Sequence, residues 1–272
     1  MDRRCLMIES NKLVELNRDG PALRLKAQGR STQWFPLRRL SRVICVEIPD
    51  VGMRALAATA AEGIPVTFLR PNGRIEAQLI HPGALPEPFT HWLSAIESEQ
   101  DVRRAYHGWL DNFLRHSYAM LGCVACTAEK AKDKADLQVR RIARKQGRGR
   151  LLPVLRTWLT SLLIAQIQSR ATQLGLAANS HRTLMLCDHL MAAGLLLAMT
   201  RLLLTLPDET KPEGLTIARL YEREVAPDIS DWLARGFYTL SEQLERAAMS
   251  QSAPRLGTGE YSYASTPLSR LL

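Results

Sequence analysis

Residues 35–82 read FPLRRLSRVICVEIPDVGMRALAATAAEGIPVTFLRPNGRIEAQLIHP, and this stretch decides the front of the fold. Arg42–Ile48 (RVICVEI) is a dense apolar run of the kind that forms a buried strand. The residues after it, DVGMRALAATAAEG, have the composition of a short helix. That helix runs into Gly63, a fitting C-terminal cap. Ile64–Leu69 (IPVTFL) reads as a second buried strand, with Pro65 fixing the chain as it re-enters the sheet. Asn72–Gly73 marks a turn, and Ile75–Ile80 alternates as a half-buried strand does.

Working outward toward the start, Leu13–Arg18, Ala22–Gln28 and Thr32–Leu37 are short alternating runs bounded by Gly, Asp, Asn or Pro. The front of the chain is therefore expected to hold about six strands and one short helix. Working outward toward the end, HPGALPEPF reads as a hinge. Beyond it the texture turns to Ala, Leu, Arg and Gln with helical spacing. Segments 92–121, 150–175, 183–206, 214–226 and 229–251 are all expected to be helical. The fold class is α+β: a small N-terminal β-rich domain with one short helix, followed by a larger all-α domain. The expected divisions are 1–82, a linker at 83–90, helices at 91–250, and a polar, flexible tail at 251–272.

The chain has 272 residues, 36 Lys and Arg against 27 Asp and Glu, and a pI near 9.6, giving a net charge of +9. With 46% hydrophobic residues it is neither a disordered tail nor a disulfide-dense miniprotein. The excess of positive charge points to an anionic partner, nucleic acid first and an acidic membrane surface second. Five scattered cysteines do not read as a secreted framework. Cys123 and Cys126 make one CxxC without a second half, a weak zinc or redox signal beside the reading of two small residues in a helix. The N-terminus is too polar for a signal peptide. The most apolar stretch, Met191–Leu206, is interrupted by Arg201 and is short for a bilayer. A cytoplasmic location is expected.

The strongest charge feature is LQVRRIARKQGRGRLLPVLR. Arg140, Arg141, Arg144, Lys145, Arg148 and Arg150 occur with no acid between Leu137 and Arg156. On a helix, Arg140, Arg141, Arg144 and Lys145 share a face by i, i+3 and i+4 spacing, while Val139, Ile142 and Ala143 anchor the other side. Such a face meets a phosphate backbone at several points and positions it without reading bases. A solvated basic helix, or one paired with an acidic protein, is the alternative. A second basic group, Arg38, Arg39 and Arg42, sits at a turn near Trp34 and Phe35, which are expected to pack. It is read as touching nucleic acid or a neighbouring subunit.

The order and lengths of Pro36–Leu37, Arg38–Arg39, the strand Arg42–Ile48, the helix from Gly52 to Glu62, the segment Gly63–Leu69 and the Asn72–Gly73 turn resemble the N-terminal domain of the CRISPR-associated spacer-acquisition integrase family, Cas1. LRTWLTSLLIAQIQSRATQLGL resembles the family's helix that ends in Gly-Leu before a catalytic loop, and LMLCDHLMAAGLLL resembles the segment after it. The resemblance implies CRISPR adaptation and antiviral defence: a protein that binds prespacer and repeat DNA and inserts spacers. It implies a Glu, a His and an Asp or Glu holding Mg²⁺ or Mn²⁺, dimerisation through the β domains, and a small ferredoxin-like partner, Cas2.

His181 falls near the place of the family's His, read either as a metal ligand or as a solvated loop residue. Asp188 is the candidate carboxylate, or else a structural acid. Under two alignments the family's second acidic position carries Met191 or Ala192. Glu129, in TAEKAKDK, is the candidate Glu, but it lacks the flanking glycines and lies among lysines, as a surface charge does. Three readings follow. The chain is a catalytically impaired or scaffold subunit, alone as a homodimer or beside another Cas1 subunit. Or it is an active metal-dependent integrase or endonuclease using His181, Asp188 and Glu129. Or it is an interaction protein that has lost DNA.

Overall fold

The computed structural model describes residues 3–81, 96, 98–174, 176, 181–207 and 214–252, with backbone alone at 181–183 and 250–252. The expected linker at 83–90 and the tail from 253 onward lie outside the described residues.

The N-terminal strands are β1 (Arg4–Glu9), β2 (Leu13–Asp19), β3 (Ala22–Ala27), β4 (Gln33–Pro36), β5 (Leu40–Val46), β6 (Val66–Leu69) and β7 (Ile75–Leu79), with helix α1 (Met53–Ala61) between β5 and β6. They form two sheets. One has the order β1-β5-β6-β7 and the other β2-β3-β4. β5 pairs parallel with both β1 and β6, β7 closes antiparallel on β6, and the second sheet is antiparallel throughout. β1 is the strand that the sequence reading missed. Its start carries Arg3, Arg4 and Cys5, which mask the alternation of Leu6 and Ile8.

β5 is dense in apolar residues because both of its faces are covered. Val43 and Cys45 face a core shared with Leu16, Leu23, Leu56, Val66 and Phe68. Ile44 joins the core of the helices, as does Leu69 of β6. α1 begins at Gly52, whose φ of +84° a side chain rarely adopts, and a Cβ there would stand 2.5 Å from Leu16. Trp34 does not pack as expected. Its ring is 56% exposed, with Nε1 donating to Asp19 at 3.0 Å.

The helices are α2 (Gln100–Ala119), α3 (Ala128–Lys145), α4 (Leu152–Gln173), α5 (His181–Thr205), α6 (Gly214–Leu220) and α7 (Ala226–Ser252), with a π-helical turn (Tyr221–Val225) between the last two. The apolar stretch from Met191 lies in α5, close to the helix expected at 183–206. By length and composition α4 and α5 both reach what a membrane span needs. Their apolarity is accounted for by packing, because over half of each apolar window is buried inside the protein. The CxxC is not helical. Cys123 and Cys126 lie in the connection between α2 and α3, the first buried and the second exposed, and all five cysteines are free thiols.

Several contacts fasten the strands to the helices. Trp158 of α4 is wedged between Gly73, in the β6–β7 turn, and Gly214, at the start of α6. A Cβ on either glycine would collide with the indole, at 2.5 Å in the case of Gly73. Ser169 donates to the Ser41 carbonyl at 3.2 Å, and Arg219 pairs with Glu9 at 2.6 Å. Deepest is Arg42 of β5, whose Nη2 donates to both carboxylate oxygens of Glu222 at 2.7 Å. Burial pulls the pKa of Arg42 down, but Glu222, Cys5 and Tyr221 together outweigh it and the net shift is upward. Arg42 is therefore an internal tie, 6% exposed, and does not belong with exposed Arg38 and Arg39 as a surface cation.

Candidate nucleic-acid interface

α3 is built as an amphipathic helix with a strong start and a strong stop. The Thr127 hydroxyl caps it, accepting from the Lys130 amide at 3.3 Å. Glu129 sits in its first turn, where a negative charge suits the helix dipole. Ala131, Ala135, Val139 and Ala143 form the buried stripe, one every four residues. The end is a Schellman motif around Gly147 at φ +68°. Gly147 N–H donates to the Arg144 carbonyl at 3.0 Å and Arg148 N–H to the Ala143 carbonyl at 2.7 Å.

Opposite that stripe, Arg140, Arg141, Arg144, Lys145 and, past the turn, Arg150 are exposed. Arg140 is engaged by Asp136 at 2.7 Å, an acid that also holds Arg156 at 3.1 Å. Arg141, Arg144 and Lys145 form no ion pair among the described residues. Exposed Leu137 lies in the same stretch.

Arg148 departs from the expectation. The reversal at Gly147 turns its side chain inward, where it is 6% exposed. Nη1 donates to the Leu203 carbonyl and Nη2 to the Leu206 carbonyl, each at 2.8 Å, capping the C-terminus of α5. The spacing of the basic run gave no sign of this, because an αL glycine breaks the helical register. Arg148→Met is expected to cost about 2–3 kcal/mol of stability, through carbonyls left unsatisfied. It should leave nucleic-acid affinity unchanged, and chemical denaturation with a duplex-binding titration checks both.

Glu129 and Asp188 are both exposed, on α3 and α5 respectively, and His181 is the first residue of α5. The side chain of His181 lies outside the described residues. Among the described residues, no three His, Cys, Asp or Glu side chains converge as a metal site. Of the three candidate ligands, only Glu129 and Asp188 have described side chains.

The structure brings together a polar group that the sequence reading had not assembled. The Tyr106 hydroxyl hydrogen-bonds His189 Nδ1 at 2.7 Å, joining α2 to α5. Burial lowers the pKa of His189, with His107 pushing the same way and Asp188 opposing. The ring is thereby held below its usual range, toward its neutral form. Beside it the Cys187 thiol is pushed up to about 12, chiefly by burial. Tyr106 and His189 are 83 positions apart, so no local spacing announces the pair.

A strand-rich front packed on a helical bundle, with a basic helix turned outward, is the α+β architecture expected from the sequence. Residues 7–90 match the family model described as CRISPR associated protein Cas1. The whole fold is similar to the structure of a Cas1 protein from Thermotoga maritima, at a TM-score of 0.60 and 12% identity over 94% of this chain and 100% of that one. It is also similar to a casposase bound to integration product, at 0.57 and 13% over 97% and 96%. A Cas1–DNA complex, TtCas1, matches at 0.50 and 16% over 89% and 97%. No curated protein matches the sequence. The family model thus covers the strand-rich front, and the similar structures show that the fold as a whole is that of Cas1 proteins.

Proposed function

We propose that this chain belongs to the Cas1 family and takes part in CRISPR adaptation, binding prespacer and repeat DNA through the exposed face of α3, as a catalytically impaired or scaffold subunit of a spacer-integration complex. The observation that carries the DNA reading is the outward set Arg141, Arg144 and Lys145, free of carboxylate partners among the described residues and backed by a rigid apolar stripe. The similar casposase is bound to integration product and the similar TtCas1 to DNA, which supports the same ligand here. The impaired reading is supported by Met191 and Ala192 at the positions where the family resemblance expects an acid, and by the exposure of Glu129 and Asp188. Its partners on this reading are a second Cas1 subunit, the same or paralogous, and the small ferredoxin-like Cas2.

The second reading is an active integrase that uses His181, Asp188 and Glu129 with Mg²⁺ or Mn²⁺. Incubation of labelled prespacer and repeat DNA with the purified chain and either cation separates the two. The expected result is duplex binding without a joined product. With about four phosphate contacts, affinity should fall about a hundredfold between 50 and 200 mM salt. A cation-dependent joined product that disappears in His181→Ala would overturn the impaired reading and establish the active one.

A further inference from the structure

The outward face of α3 carries an apolar side chain that phosphate contacts do not explain. Leu137 stands opposite the buried stripe and is 64% exposed. Lys130, Lys134, Arg141 and Arg144 surround it on the same face, three, four or seven residues away. Asp133 is an acid of that face, one turn before Leu137. The connection between α2 and α3 runs alongside. Gln138 Nε2 donates to the Leu121 carbonyl at 3.4 Å, and Lys134 Nζ to the Val124 carbonyl at 2.9 Å. Met120 and Val124 of that connection are exposed as well. Apolar side chains set among cations fit a surface of opposite charge with an apolar anchor of its own.

α7 presents such a surface. Its core side carries Trp232, Phe237, Leu240 and Leu244. On the other side Tyr238, Glu242, Glu245 and Met249 follow one another at i, i+4, i+7 and i+11. Tyr238 and Met249 are exposed, the latter at 62%. Arg235 is a cation of this face, one turn before Tyr238. The Tyr238 hydroxyl donates to Glu242 at 2.9 Å, Arg246 stands 3.4 Å from the same carboxylate, and Ser241 donates to Glu245 at 3.3 Å. All three contacts lie within the helix at its surface, where such pairs are weak. The two helices share one spacing in opposite directions. Leu137, Arg141 and Arg144 advance by four residues and then three, while Met249, Glu245 and Glu242 step back by four and then three.

We propose that α3 of one copy packs antiparallel on α7 of a second copy, with Leu137 on Met249, Arg141 at Glu245 and Arg144 at Glu242. The contact is heterologous, since each copy offers one face and receives on a different one. Within a chain α2 stands between the two faces. The Ala128 amide of α3 donates to Asp111 of α2 at 3.3 Å, and Trp109 of α2 donates to Thr239 of α7 at 3.0 Å. A copy therefore does not satisfy its own pair, and association extends past two chains. A single pair of helices covers less than the about 800 Å² per partner of a standard stable interface, so assembly is weak and grows with protein concentration. The pairing stands without the duplex-binding reading. Combined with that reading, it occupies the same cations, and duplex dissolves the assembly.

The test is sedimentation velocity of the full chain from about 1 to 100 μM in low salt. The mean mass is expected to rise with concentration and to fall back as salt is added. Glu242→Lys/Glu245→Lys and, separately, Arg141→Glu/Arg144→Glu should each weaken association at least about tenfold. The first variant touches α7 alone and should not reduce duplex affinity. Neither variant pairs with itself, but in an equimolar mixture every contact between unlike copies joins opposite charges. Association in the mixture is expected to return to within about threefold of the unaltered chain. Any contact made through the strand module is common to all four samples and cancels. A mixture no heavier than either variant alone overturns the pairing, as does a mean mass of the unaltered chain that stays constant with concentration. Added duplex should lower that mass. An assembly that keeps its mass with duplex bound overturns the shared face, while the mixture still decides the pairing.

Discussion

Arg141→Glu/Arg144→Glu/Lys145→Glu is expected to lose about 10²–10³-fold in duplex affinity at 0.1 M salt. Each cation neutralising one phosphate releases close to one counterion, worth a factor of about eight at that concentration. Three lost contacts multiply to about five hundred, and the introduced carboxylates add repulsion. The three positions are exposed, and the buried stripe of Ala131, Ala135, Val139 and Ala143 is untouched, so the helix should remain folded. Arg140 is left out because Asp136 already engages it. Fluorescence anisotropy against duplexes of two unrelated sequences is the measurement. Equal losses on both are expected, since these are positioning contacts. Unchanged affinity at low salt would support instead a protein that keeps the fold without using this face for DNA.

The second large effect is on stability. Glu222→Leu should destabilise the chain by about 3–5 kcal/mol, because it strands the Arg42 guanidinium in the interior. That is a large share of what a domain possesses. The pair links β5 to the π-helical turn across 180 residues of sequence, so its loss loosens the seam between strands and helices. The double variant Arg42→Met/Glu222→Leu removes both charges and should recover most of the loss. Denaturant midpoints of the two variants give the answer. Equal destabilisation in both would mean that the seam is held by shape and not by the ion pair. Cys5, packed beside Glu222, is held toward its thiol form. Burial raises its pKa well above the usual value and the carboxylate adds to the rise.

The strand module was legible from composition and punctuation. RVICVEI, the Ala-rich helix ending before Gly63, and Asn72–Gly73 each carry a local signal that the structure keeps. Strand direction was not legible, because parallel pairing of β5 with β1 and β6 depends on crossings that no short pattern encodes. β1 was hidden by its own arginines. The helical half was legible as helices, but the roles of its cations were not. Arg148 shares its spacing with Arg144 and Arg150, and only the reversal at Gly147 sends it inward. Arg42 likewise reads as one of a basic trio until Glu222 is brought to it from the far end of the chain. Charge at a surface and charge at a seam look alike in a sequence, and burial separates them.

The cap that Arg148 places on α5 has a mechanical consequence. The helix with the outward cations is anchored at its final turn to the end of α5, a helix with a large share of its residues in the core. Load from a tethered duplex would pass along α3 into the centre of the bundle and not be spent on a compliant connector. The basic face is thus a stiff handle on the molecule, and torque applied to it would turn the helical half as one piece.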